Sequence, residues 1–248
     1  MVLKLFDKVL SWLYPCSCAF CNEKMAYSTT GVYICSECME KLRFCIKENC
    51  CSICGAPVDK EYNLCGECFS LKQNGESMYY DRIVSVCVYD ENSRDGIIRF
   101  KRGLNPGSVS TFAGIMAAVI QNSGKKFDLV AAVPPRKKRM REFGFDQCHL
   151  LAMKTAQILE LPYIKNTLYR VKESEKQTEL NEKNRRENLS GTFGVKINPD
   201  KINGKRILII DDVKTTGSTI NECARALKEK GAAAVCGASI AITSRSEL

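Results

Sequence analysis

Eight cysteines arranged as four Cys-x-x-Cys pairs, Cys18/Cys21, Cys35/Cys38, Cys51/Cys54 and Cys65/Cys68, constrain the first part of this chain more tightly than any other feature. A Cys-x-x-Cys turn lets two sulfurs approach one ion at about 2.3 Å, and two such turns complete a tetrahedron around zinc. The pairs are spaced to do this twice, with 13 residues between Cys21 and Cys35 and 10 between Cys54 and Cys65. Asparagine or glycine after a knuckle, as in "CNEK" and "CSICGAP", suits the tight turn that points backbone amides at the thiolates. Other chemistries compete for the same residues. A disulfide framework needs an oxidising compartment, and the first residues carry no small-residue cleavage site for export. An iron–sulfur cluster is the second alternative, and regularly doubled pairs favour zinc over it. A redox Cys-x-x-Cys would be expected once, beside a βαβ pattern. Cys16, Cys45 and Cys50 are left over and keep the ligand pairing open.

The spacing therefore predicts a tandem of zinc ribbons over residues 16–75, with about two structural zinc ions. A segment this small cannot build a core alone, so the metal supplies the folding energy. Closed four-thiolate sites leave no coordination position for chemistry, which makes the module structural and a docking surface. Before it, residues 1–15 carry apolar side chains at helical spacing (Val2, Leu5, Phe6, Val9, Leu10 and Leu13), read as an amphipathic helix too short and interrupted to span a bilayer. No later run reaches transmembrane length, and a cytoplasmic location is expected. The formal net charge of +9 would fall to about +5 with two tetrathiolate zinc sites, each near −2. The remaining excess suits a phosphate-rich partner or substrate, or only a solvated surface.

From residue 80 to 248 the pattern alternates strand and helix. "RIVSVCVY" and "FDLVAAV" read as strands, "STFAGIMAAVIQ" and Asp146 to Glu160 as helices, and "ILII" and "AAVCGASIAI" bracket a final helix. Such alternation implies an α/β fold, a parallel sheet with helices on both faces, whose ligands sit outside the carboxyl ends of the strands. Ile207 to Ile210 run into Asp211 and Asp212, followed by Val213, Lys214 and a loop of Thr215, Thr216, Gly217, Ser218 and Thr219. The loop amides and the positive end of the following helix would cradle a phosphate monoester, with the hydroxyls donating to its oxygens and Gly217 permitting close approach. The two acids are poor neighbours for phosphate and good acceptors for vicinal ribose hydroxyls. The run reads as a ribose-5-phosphate clamp, against the blander alternative of a capped helix after a buried strand.

This run resembles the phosphoribosyl pyrophosphate motif of type I phosphoribosyltransferases. In the order "YPCSCAFC", the cysteine pairs, "IIRFKRGLNPGSV", "VPPRKKRMREFGFDQCHLLA", "YRVKESEKQTELNEKNRRENLSGTF" and the clamp, nearly the whole chain is similar to the ComF family of competence-associated, phosphoribosyltransferase-like proteins. The resemblance implies phosphoribosyl pyrophosphate as ligand, with magnesium bridging its diphosphate. It implies a pyrophosphate loop containing Arg136, Arg139, Arg141, Gly144 and Gln147, and a mobile hood containing Arg170, Gln177 and Arg186. The chain departs from the family's usual Arg-Gly-Phe-Asn-Gln, showing Phe143-Gly144-Phe145-Asp146-Gln147 instead. By the same resemblance the function is in DNA uptake, natural transformation and recombination, with single-stranded DNA and the competence helicase or recombination proteins as partners. Phosphoribosyl transfer to an unidentified acceptor would displace pyrophosphate from ribose C1. The alternatives are a catalytically silent ligand sensor or DNA- and partner-binding protein of the same fold, and a transferase acting outside competence. No acceptor base stands out; His149, at a helix start, reads as packing or capping.

Overall fold

The computed structural model describes residues 16–76, 78–105, 107–171 and 191–243. The helix expected over residues 1–15 lies outside these, as do Gln177 and Arg186 of the expected hood.

A four-stranded sheet, parallel throughout, organises the larger part of the chain. Its strands are β3 (Arg82–Val88), β4 (Leu129–Ala132), β7 (Arg206–Lys214) and β8 (Ala234–Ile242), in the order β3-β8-β7-β4. Ile207, Leu208, Ile209 and Ile210 are all fully buried, as a strand covered on both faces requires. Period-two alternation sends Leu208 and Ile210 into one core with Phe112, Met116 and Leu151, and Ile207 and Ile209 into another with Ile220, Ala224 and Leu227. The first layer is built by α4 (Gly107–Asn122) and α6 (Gln147–Ile158), the second by α7 (Ser218–Lys228). A short antiparallel pair, β5 (Leu168–Arg170) with β6 (Phe193–Val195), stands beside the sheet.

Two helices near the functional end come from segments read without an assigned helix. The first, α3 (Glu91–Arg102), starts on a reciprocal cap: Asp90 Oδ1 accepts from the Ser93 amide at 3.0 Å, and Ser93 Oγ accepts from the Asp90 amide at 2.9 Å. It ends at Gly103, which adopts φ +68° and has Phe145 packed where a Cβ would stand. The second, α5 (Lys137–Phe143), forms within the basic segment expected to be a loop.

The cysteine-rich part holds a small hairpin of β1 (Cys16–Ser17) and β2 (Lys24–Met25), then α1 (Ser36–Lys41) and α2 (Gly66–Gln73). It docks on the sheet domain along α3 and α4. Phe20 meets Phe112 edge-on with ring centroids 5.2 Å apart, and Phe112 meets Phe100 in the same way at 5.3 Å. The Tyr33 amide donates to Thr111 Oγ1 at 2.9 Å, and the Arg99 guanidinium donates to the Phe20 carbonyl. Gly96 makes this approach possible, because a Cβ there would stand 2.6 Å from Phe20 Cα and 2.7 Å from the Ala19 carbonyl.

Gly96→Ala should therefore destabilise the chain by about 1–3 kcal/mol through overpacking against backbone. Gly66→Ala, where a Cβ meets nothing within 4 Å, should stay within about 0.5 kcal/mol of the parent. Denaturant unfolding of the two variants checks the difference, and equal effects would remove the claim that Gly96 sets the docking distance.

Candidate functional site

The eight paired cysteines converge as two groups, Cys18, Cys21, Cys35 and Cys38 in one and Cys51, Cys54, Cys65 and Cys68 in the other. The four sulfurs of each group lie within 4.8 Å of one another. Cys21 and Cys35 Sγ stand 3.6 Å apart, as do Cys54 and Cys65 Sγ, near the edge of about 3.8 Å that a tetrahedron of 2.3 Å zinc–sulfur bonds demands. Amides point at sulfur as well: Cys38 N donates to Cys35 Sγ and Cys68 N to Cys65 Sγ, each at 3.5 Å, and Cys35 N to Cys18 Sγ at 3.4 Å. This donor set fits two zinc ions and leaves Cys16, Cys45 and Cys50 outside both groups.

Parallel pairing of β4 with β7 brings two distant segments to one end of the sheet, Pro134 to Gln147 after β4 and Asp211 to Thr219 around the end of β7. Between them lies a cavity of about 760 Å³, within the usual range for small-molecule sites. Of the residues expected to bind, Asp211, Asp212, Thr219, Arg136, Arg139, Gln147 and Arg170 line it. Arg141 is exposed on α5, and Gly144 closes that helix at φ +74°; neither is on the cavity wall. Lys214 is only 4% exposed, and Thr215, Thr216, Gly217 and Ser218 form the turn beyond the wall.

The strand does not end at the acids. β7 runs on to Lys214, so Asp211 and Asp212 sit within the sheet, 9% and 6% exposed. Burial, reinforced by the Asp212 charge, pushes the Asp211 carboxyl up to about 7. Its Oδ1 accepts from the Asp212 amide at 2.8 Å and from the Cys148 thiol at 3.7 Å. Burial and the surrounding acids hold the Cys148 thiol well above its ordinary range, so it is a donor to Asp211 rather than a ready thiolate ligand.

Asp212 is compensated by cations. Arg139 Nη1 donates to its Oδ2 at 2.8 Å, and Lys101 Nζ stands 3.5 Å from its Oδ1. Burial works against the Arg139 charge, and the Asp212 carboxylate outweighs it, leaving the guanidinium more firmly protonated than usual. Nε and Nη2 of Arg139 are buried without a hydrogen-bond partner, two unused donors beside a space suited to an anion. Arg170 Nε donates to the Pro134 carbonyl at 3.1 Å, and its guanidinium lies 4.5 Å over the Phe193 ring. Gln147 Nε2 donates to the Lys101 carbonyl at 2.6 Å, which ties the end of α3 to the wall.

Lys101 and Arg102 line the cavity and were not singled out by the sequence reading; the available signal was the basic run "RFKRG" closing on a glycine. Asp146 also reaches the wall. It caps α6 by accepting from the His149 amide at 3.0 Å, and burial pushes its carboxyl upward. His149 packs against Tyr163, Nδ1 to hydroxyl 2.6 Å, and burial moves its imidazole downward.

Two family models match the chain, one described as a double zinc ribbon domain over residues 9–69 and one as a phosphoribosyl transferase domain over residues 146–246. The first spans both cysteine groups; the second spans the acids and the turn behind them. Competence protein F of Haemophilus influenzae is 27% identical over 219 residues, covering 86% of this chain and 91% of that protein. DNA utilization protein YhgH of Escherichia coli K12 is 26% identical over 226 residues, covering 89% and 94%. Competence protein ComFC of Bacillus subtilis 168 is 30% identical over 204 residues, covering 81% and 80%. No helix among the described residues is long and apolar enough to cross a membrane.

Native mass spectrometry should find about two zinc ions per chain, and Cys18→Ser or Cys51→Ser should each remove one; iron, or no metal, would overturn the assignment. The Asp211 carboxyl supplies a pH test. An aspartate unfolds to a pKa near 4 and here titrates near 7, so its contribution to stability is fully present below about 4 and is lost as pH rises to about 7. Asp211→Asn should flatten the fall in unfolding free energy across that window, by on the order of 2–4 kcal/mol relative to the parent. Parallel pH curves for the two proteins would contradict the buried, raised carboxyl.

Proposed function

Because the chain belongs to the ComF family, whose competence proteins it matches along most of its length, we propose that it binds phosphoribosyl pyrophosphate at the sheet end and acts in DNA uptake. The observation that carries the ligand is the pairing, across one cavity, of two buried aspartates with an arginine that has two unused donors. Vicinal ribose hydroxyls would donate to Asp211 and Asp212. The 5-phosphate would take the amides and hydroxyls of Thr215 to Thr219 at the start of α7. The diphosphate would lie against Arg136 and Arg139, with Lys101 and Arg102 adding charge from α3.

In this reading the Arg139–Asp212 ion pair gives way when the ligand binds. An incoming diphosphate offers Arg139 more negative charge than one carboxylate does, so Arg139 would move to the ligand and release Asp212 to the ribose. Magnesium, a hard cation that prefers oxygen, would supply further neutralisation of the diphosphate charge. Transfer to an acceptor would then break the bond from ribose C1 to the diphosphate and form one from C1 to the nucleophile. Binding without turnover is the second reading, and it is favoured by the placement of Glu142 and Asp146 on the wall. Two acids there oppose the build-up of phosphate charge that a leaving diphosphate brings.

Contact with single-stranded DNA, and with the helicase or recombination proteins of competence, would use the basic surface around Lys137 and Lys138, both exposed on α5. The cytoplasm is the compartment in which reduced cysteines and this ligand would coexist.

Isothermal calorimetry with phosphoribosyl pyrophosphate and magnesium tests the proposal. Binding should weaken about 10- to 100-fold in Arg139→Ala and at least as much in the double variant Asp211→Asn, Asp212→Asn. No heat from the parent protein, or unchanged affinity in the double variant, would rule out the clamp. Release of pyrophosphate across a panel of bases and amines separates transfer from binding alone.

A further inference from the structure

The second cysteine cluster meets the turn that follows the acids through Ile83, whose Cδ1 lies 3.5 Å from the point a Cβ would occupy on Gly217. Its Cys51-to-Cys54 knuckle rests on the start of β3, where Ile83 N donates to the Ile53 carbonyl at 2.8 Å. Gly55, at φ +74°, crosses so closely that a Cβ would stand 2.6 Å from the Ile83 carbonyl oxygen. Lys214 enters the space between this knuckle and the turn. Its Cε is 3.3 Å, and the Tyr80 hydroxyl 3.6 Å, from the point a Cβ would occupy on Gly217. Both side chains are buried, Lys214 at 4% and Tyr80 at 5% exposed. The lysine lies close enough to Cys54 for its charge to act on that sulfur. Among the described residues it makes no ion pair with a carboxylate.

A buried ammonium requires compensating negative charge. Four thiolates around one zinc ion carry about −2, and the cluster next to Lys214 is the source at hand. The other cluster packs elsewhere, on α3 and α4 through Phe20, Gly96 and Arg99. We propose that the second cluster, holding zinc, is the counter-charge that seats Lys214 under Gly217 and so keeps the phosphate-binding turn formed. Metal occupancy at Cys51, Cys54, Cys65 and Cys68 then controls the order of the turn, whereas occupancy at Cys18, Cys21, Cys35 and Cys38 does not. Lys214 is a positioning residue in this scheme, acting through the turn. The consequence for ligand rests on the reading of that turn as a phosphate cradle; the coupling itself can be measured with no ligand present.

Hydrogen exchange on the full chain carrying both metals is the direct test, with Lys214→Met as the key variant because it keeps an unbranched apolar stem out to the Cε position and removes the ammonium. Amides of Thr215 to Ser218 should exchange about tenfold faster in Lys214→Met and in Cys51→Ser, and at the parent rate in Cys18→Ser. Coupling is reciprocal, so a chromophoric chelator should strip one of the two zinc ions from Lys214→Met more readily than from the parent. Unchanged exchange together with unchanged chelator competition in Lys214→Met would overturn the proposal, as would equal loosening of the turn when only the first cluster is emptied. Calorimetry with phosphoribosyl pyrophosphate on the same samples keeps the two claims separate. A tenfold weaker Kd in Lys214→Met supports both. If the turn loosens as described while the parent binds no ligand, the cradle reading fails and the coupling stands.

Discussion

Two carboxylates buried side by side at the end of a parallel strand are a liability that the surrounding structure must offset. Asp211 and Asp212 are held inside the sheet by the ladder that runs on to Lys214, so neither can swing out to water. The two acids are handled differently. Burial and its neighbour's charge push Asp211 toward the neutral form, against the opposing pull of the Asp212 amide and the Cys148 thiol that donate to it, while Asp212 stays paired with Arg139 and Lys101. One aspartate thus resembles a poised acid and the other an anchored anion, from identical chemistry one residue apart. The cations that make this possible come from α3 and α5, which explains why those helices converge on the end of β7.

That convergence in turn depends on the cysteine-rich part. The helix carrying Lys101 is pressed against the first knuckle at Gly96 and tied to it through Arg99 and the Phe20 carbonyl. Its far end is fixed by Phe145 over Gly103 and by Gln147 on the Lys101 carbonyl. The helix is therefore a strut between a metal-stapled module and the cavity. A segment of this size without metal could not serve as the fixed end, because its apolar burial is too small to hold it folded.

Much of this was legible in the residues. Cys-x-x-Cys spacing admits few geometries, so the grouping of the eight sulfurs followed from the pattern even with Cys16, Cys45 and Cys50 as distractors. The strand of four apolar residues and the helix start at Ser218 were equally plain, since a run buried on both faces and a glycine turn leave local signatures. Other features have no local signature. Lys101 matters because a parallel crossover places it beside Asp212, 111 positions away along the chain, and no periodicity encodes that meeting. The basic run after Pro135 looked like a loop by charge. Its Lys, Arg, Met and Glu are strong helix formers, and with Gly144 as a left-handed stop they close two turns of α5. Lys214 was grouped with ligand-facing residues because it sits between the acids and the threonines. What covers a strand's end decides where such a lysine goes, and here the cover is the second ribbon and Tyr80.

The turn after the acids shows why such a cover is needed. Within it, the side-chain contacts are slight: Thr216 and Ser218 hydroxyls lie 2.8 Å apart, and Ser218 N reaches Thr216 Oγ1 at 3.4 Å. The helix that follows has Gly217 at its N-cap, at φ +78° and with no side-chain acceptor. A serine or aspartate cap would satisfy the first amides and stabilise the helix. It would also occupy the donors that make a helix start attractive to an anion. A turn left uncapped above has to be held from below, and Ile83, Tyr80 and Lys214 all lie within 3.6 Å of the Gly217 Cβ position. Rigidity supplied from the buried side and uncapped amides on the open side are thus two aspects of the same local design. The metal-stapled ribbon is what lets this chain have both.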